Sequence, residues 1–144
     1  MKPYLTKIQT AIKTLAAEGR QKRNEARQTS HMERYHLKAE ANEVGSDARE
    51  HLLAYHILRG RHPALSESPN TRWSNWSFPA SSRVVALVGM HFEGSGVDRK
   101  ALMGTALEYM TEWRMAVQSG TAADLQDRLR KEWTEKQAKQ GEAA

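Results

Sequence analysis

The chain has no cysteine. Disulfides, thiolate metal ligands and cysteine nucleophiles are therefore excluded, and the composition suits a reducing compartment such as the cytoplasm. Long apolar runs are also missing. The longest, Leu52 to Leu58, is far too short to span a bilayer. The opening residues Met1 to Lys7 lack the uninterrupted apolar stretch of a secretory signal. A soluble cytoplasmic protein with no membrane association is the expectation.

Catalytic signatures are absent as well. No HExxH, GxSxG, DxD or HxH pattern occurs. Gly89-Met90-His91-Phe92-Glu93-Gly94 begins like a phosphate loop. Ser95-Gly96 then stands where lysine followed by serine or threonine is required, so nothing would pair the transferring phosphate. A weaker anion site survives at Gly94 and Gly96 with Arg99 and Lys100, where glycines precede a helix start; the same glycines also read as an ordinary turn. Six histidines are present, with His31 and His36 five apart, as are His51 and His56, and with His62 and His91 alone. These spacings are not those of helical metal ligands, so neither a metal nor another cofactor is expected. His56, inside the apolar run, reads as a hydrogen-bonded core histidine.

What is present is helical patterning in a chain of 144 residues, enough for one domain with its own core. An apolar fraction of 39% predicts that this core is modest. Tyr4, Ile8, Ile12 and Leu15 recur at helical spacing behind Pro3. From Gln21 to His31 the only apolar residue is Ala26, which predicts a stretch that cannot face a core. Ser30-His31-Met32-Glu33 matches a capping box and predicts a fresh helix from Ser30 to about Glu43, ended by Gly45. A third helix, Asp47 to Arg59, carries the apolar run and reads as the central core helix.

Residues 61–80, with Pro63, Pro69, Pro79 and many serines, read as a long loop laid across the surface. Residues 84–92 fit either a buried strand or a helix capped by Ser81 or Ser82. Helix is preferred because no second strand is evident to pair with. Asp98 should cap a helix over Arg99 to Ser119 with Met103, Ala106, Leu107, Met110, Trp113 and Val117 buried, making it the main partner of the core helix. Gly120 should end it. A last helix opens at Thr121 to Asp124 and presents a narrow seam of Leu125, Leu129 and Trp133 amid lysines and arginines. That seam fits its own domain's edge or a partner's groove.

The predicted fold is all-α, a single compact domain of five or six helices. It comprises a charged N-terminal helical region over 1–43, a helical core over 47–139 and a frayed tail over 140–144.

Two features point to binding. The net charge is +5 and the pI about 9.6. On an ideal helix at about 100° per residue, Lys13, Arg20, Arg23, Arg27, His31, Arg34 and Lys38 share an arc of roughly 80°. Glu18, Glu25, Glu33, Glu40 and Glu43 lie opposite, with Lys22 the exception. Such cations can track successive phosphates, provided that the helix runs through Ser30, which the capping box opposes. Otherwise the pattern is a solvated helix laced with ion pairs.

The second feature is the loop Thr71-Arg72-Trp73-Ser74-Asn75-Trp76-Ser77-Phe78. Arginine beside tryptophan suits unpaired bases and protein hot spots alike, and the aromatics could instead plug the loop onto the domain. The leading expectation is a non-enzymatic accessory protein that binds nucleic acid or acts in a nucleoprotein complex through Arg20, Arg23, Arg27, Arg34, Lys38, Arg72, Trp73 and Trp76. The alternative is an inhibitor or assembly subunit docking on an acidic protein, with Trp73, Trp76 and Trp133 as anchors. A small enzyme would need a polar pocket around Glu50, His51 and His56.

Overall fold

Apolar residues at three- and four-residue spacing, separated by Gly-, Pro- and Ser-containing breaks, produce five α-helices. A computed structural model describes residues 3–28, 31–68, 73 and 77–143, with side chains at all of these except 31, 32, 35 and 141–143. The helices are α1 (Pro3–Arg27), α2 (His31–Leu58), α3 (Ser81–Met90), α4 (Arg99–Ser119) and α5 (Ala122–Ala143), with a 3-10 turn at Pro63–Ser66 between α2 and α3. Among the described residues there is no strand. The fold is a single compact all-α domain. No helix among these residues is long and apolar enough to cross a membrane.

The first two helices form an antiparallel hairpin. Gln9 Nε2 donates to Tyr55 Oη at 2.8 Å, Lys22 Nζ meets Glu40 Oε2 at 2.9 Å, and Arg34 Nε donates to the Ala26 carbonyl at 2.8 Å. Pairs whose residue numbers sum to nearly the same value mark two rods running in opposite directions. The hairpin is closed differently at its two ends. Leu5 and Ile8 meet the core beside Leu53 and Ile57, whereas Gly19, Ala26 and Ala41 are the buried residues towards the turn. A Cβ on Gly19 would lie 3.9 Å from the Ala41 carbonyl oxygen, so the backbones approach closely there. Ala26 is buried against α2, while its described neighbours from Gln21 to Gln28 stay exposed or half-exposed and outside the core, as the apolar count expected.

That contact also accounts for the principal departure from the sequence expectation. Gly45 does not end a helix at Glu43, and no new helix starts at Asp47. The chain is helical through both as α2. An interior glycine costs a helix about 1 kcal/mol relative to alanine. Docking along α1 offsets a penalty of that size, and the stop signal is overridden. The separation between α1 and α2 does occur, after Arg27, so the cations do not share one continuous rod; the proposed cap Ser30 lies outside the described residues.

The core is built from Leu53, Ala54, Ile57 and Leu58 of α2, Val84, Leu87 and Val88 of α3, Leu102, Ala106, Met110 and Trp113 of α4, and Leu125 and Leu129 of α5. Helix α3 packs against both α2 and α4, which meet each other only slightly, so α1 and α3 rather than α4 are the main partners of α2. Residues 84–90 are helical, as preferred, but the cap is Ala80 with no side-chain bond, not Ser81 or Ser82. On α4, Leu107 is 53% exposed, and Leu102 takes the buried position expected of it. Asp98 Oδ2 accepts from the Ala101 N–H at 3.2 Å, and Gly120 closes α4 with φ of 73°, a backbone state in which glycine avoids a Cβ clash.

The described residues between α2 and α3 are anchored rather than laid over the surface. His62 Nδ1 accepts the Ala64 N–H at 3.1 Å and starts the 3-10 turn, while Gln126 Nε2 donates to the Ala64 carbonyl at 3.0 Å. Trp73 and Phe78 pack edge-on against Trp113, with ring centroids 6.2 and 4.9 Å away. The hydrophobic seam of α5 belongs to its own domain: Leu125 and Leu129 are buried, and Arg61 lies over the half-buried Trp133 ring at 5.4 Å.

Candidate functional site

Helical spacing on α1 puts Arg20, Arg23 and Arg27 on one face, since steps of three and four residues each return close to the same side. On α2 the same rule lines up Arg34, Lys38, Asn42, Gly45 and Arg49 within roughly 80°. The antiparallel hairpin turns these two faces towards the same side of the molecule. Arg23, Arg27, Arg34, Lys38 and Asn42 surround one cavity of about 440 Å³. Arg20 is exposed one turn from Arg23, outside the cavity lining.

The cations in this cavity are available. Among the described residues none of Arg20, Arg23, Arg27, Arg34 and Lys38 forms an ion pair with a carboxylate. Arg34 spends its Nε on the Ala26 carbonyl near the end of α1, where the helix presents partial negative charge. This bond positions the guanidinium and leaves its two amino groups for a ligand. Lys22, the exception on the helical wheel, points the other way and pairs with Glu40.

The opposite side of the hairpin is acidic. Glu18, Glu40, Glu43, Asp47 and Glu50 line a groove of about 590 Å³ together with Lys22 and Arg83. Burial, followed by repulsion from Asp47, raises the pKa of Glu50, and Arg83 and His51 partly oppose that shift. The two signs of charge are thus separated across one pair of helices, which aims the cationic field to one side.

Next to the cationic cavity lies a second of about 590 Å³, and Arg23 and Asn42 line both. Its other walls include Gly45, Ser46, Arg49, Glu50, Trp73 and Phe78, and Ser46 and Glu50 also line the acidic groove. The Arg49 guanidinium stacks over the Trp73 ring with its carbon 5.3 Å from the centroid and also pairs with the buried Glu67 carboxylate. Burial lowers the pKa of Arg49. Arg49 Nε, Trp73 Nε1 and Glu67 Oε1 are buried without a hydrogen-bond partner, an uncommon concentration of unmet polar capacity in one place.

The remaining sequence candidates fall elsewhere. Arg72 and Trp76 lie outside the described residues. Gly94 and Gly96 form a turn before α4. There the Asp98 carboxylate already sits on the helix N-terminus, and Arg99 Nε donates to the Gly89 carbonyl at 3.1 Å; Lys100 is exposed. Among the described residues no three histidine, aspartate or glutamate side chains are grouped to hold a metal.

Two of the histidines, His51 and His62, are held by hydrogen bonds. His62 Nδ1 accepts a backbone N–H, so the proton sits on Nε2, which donates to Glu112 Oε1 at 3.0 Å. Burial lowers the His62 pKa against the pull of Glu112 and so agrees with the neutral ring. His51 Nδ1 lies 2.7 Å from the Asp47 carbonyl. His56 is not the hydrogen-bonded core histidine expected: its Nδ1 is buried without a partner, and burial, with Arg61 and Arg59 adding to it, lowers its pKa to about 4. Of Glu50, His51 and His56, Glu50 alone lines either the acidic groove or the cavity beside Trp73.

Sequence reasoning missed Asn42 and Arg49. Both were legible as continuations of the Arg34–Lys38 stripe, had α2 been read through Gly45. Protein-family models, curated proteins and solved structures were compared with the chain, and none matches.

Proposed function

We propose that this protein is a non-enzymatic accessory protein that binds nucleic acid, alone or within a nucleoprotein complex, through the cationic edge of the α1–α2 hairpin. The observation that carries the reading is the convergence of Arg23, Arg27, Arg34 and Lys38 on one cavity with no carboxylate paired to them among the described residues. Four unpaired cations side by side repel each other, and a polyphosphate chain relieves that repulsion while releasing its own counterions. The acidic groove on the reverse of the hairpin favours a single binding orientation. The backbone and carboxylate partners that hold His51 and His62 fit a binding role for the protein.

The test is an electrophoretic titration at low salt. Wild-type protein should form a complex at micromolar concentration, and its affinity should fall with salt along a log–log slope of about −3 to −4, as expected for four neutralised phosphates. The triple reversal Arg23→Glu, Arg27→Glu, Lys38→Glu leaves Arg34 to hold the turn and should abolish the complex. No complex at micromolar protein, or a complex indifferent to the reversal, refutes the reading. A co-purifying acidic protein that persists after nuclease treatment, with no direct nucleic-acid complex, would favour protein docking on the same edge.

A further inference from the structure

Resting on the nucleic-acid reading above, we infer that the two adjoining cavities act as one groove for an unpaired nucleotide, so that the ligand is single-stranded nucleic acid rather than duplex. The cationic cavity would take backbone phosphate. The neighbouring cavity, walled by Trp73 and Phe78, would take a base.

Three observations carry this. First, Arg23 and Asn42 line both cavities, so they form a single continuous surface, and each compartment, about 440 and about 590 Å³, is of small-molecule size. Second, the walls change character along the groove in the order a nucleotide does. Arg27, Arg34 and Lys38 lie at one end, and Trp73, Phe78, the Arg49 guanidinium plane and the Glu50 carboxylate at the other, where a phosphate would be repelled. A flat base stacks on such planes, while the Asn42 amide offers both a donor and an acceptor to a base edge. A duplex keeps its bases stacked inside and has no use for the second compartment. Third, Gly45 stands in the middle of α2, where glycine weakens a helix, and its missing side chain opens the wall of the second compartment. A Cβ there would meet only Arg23 Nη2, at 3.5 Å, so no backbone crowding within the protein requires glycine.

The experiment is a fluorescence-anisotropy titration of the full chain with a labelled oligothymidylate, with the same strand annealed to its complement, and with inorganic polyphosphate of matched charge as competitor. Each stacked base contributes roughly a 5- to 150-fold gain in affinity, so the single strand should bind at least tenfold more tightly than the duplex, and polyphosphate should displace it only in excess. Gly45→Leu fills the second compartment while favouring the helix. Its melting temperature should not fall, and its single-strand affinity should drop at least tenfold towards that of the duplex. Equal or tighter duplex binding, or Gly45→Leu protein that binds the single strand like wild type, overturns the inference and leaves the polyanion reading standing. Failure of all three ligands to bind overturns both.

Discussion

The base and the tip of the α1–α2 hairpin are closed by different chemistry. At the base, Leu5, Ile8, Leu53 and Ile57 enter a core completed by Val84, Leu87, Met110 and Trp113. Towards the tip, Gly19, Ala26 and Ala41 allow the backbones to approach, and they are the only fully buried residues among those described there. The base therefore gains stability from area removed from water. The tip holds together by close packing and by the Arg34 bond to the Ala26 carbonyl. A tip whose fully buried contacts are made by small side chains can keep much of its outer face charged, and so four cations can gather there without competing with the core for the same positions.

The largest blow to this division is expected at the base. Trp113→Ala removes the ring on which both Trp73 and Phe78 pack and leaves a cavity. The loss should be about 3–5 kcal/mol in a urea unfolding titration. It should also loosen Trp73, visible as a red-shifted tryptophan emission before global unfolding. If Trp113→Ala unfolds at the wild-type midpoint, the core has been misassigned.

An intermediate effect is expected at the tip. Ala41→Leu forces a large side chain into the fully buried α1–α2 contact, and overpacking of this kind costs about 1–3 kcal/mol. Because the tip carries the cations, this variant should also weaken a complex with inorganic polyphosphate, which needs no base compartment and which Trp113→Ala at permissive temperature should weaken far less. Equal sensitivity of binding to both variants would erase the distinction between tip and base.

The smallest effect concerns pH and sharpens the comparison from the core side. The His56 pKa is lowered to about 4 in the folded protein, chiefly by burial, against an ordinary value of 6.5. Between those values the unfolded chain binds more protons than the folded one, so stability rises with pH across the window. The contribution is complete above pH 6.5 and is lost progressively as the pH falls towards 4. His62 and His91, also lowered by burial, act in the same direction. His56→Phe should flatten the acid side of a melting-temperature profile without removing its slope. A profile identical to wild type would show that the ring is not held neutral by its surroundings. Water reaching the half-buried ring keeps the change modest.

Much of the helical layout was readable from particular residues. Asp98 and Gly120 bracket α4 as their cap chemistry requires, and the run from Leu52 to Leu58 does lie against the core. Gly45 misled because a local stop signal is worth only about 1 kcal/mol, less than a long packed interface can supply. Leu107 misled because helical spacing defines a stripe but not how wide a neighbouring helix covers it. Arg23, Arg27, Arg34 and Lys38 were visible as one group, although on a single rod that does not exist.

By itself the sequence determined the helical class, the shortness of its apolar runs and the clustering of positive charge at three- and four-residue spacings, because these depend on local periodicity alone. Only the tertiary structure decided that the charges of two separate helices face one cavity, and that Asn42, Arg49 and Trp73 adjoin it. The reason is geometric. Spacing fixes the side of its own helix on which a residue lies, but the sense in which the chain reverses, and the closeness that Gly19, Ala26 and Ala41 permit, decide which sides meet.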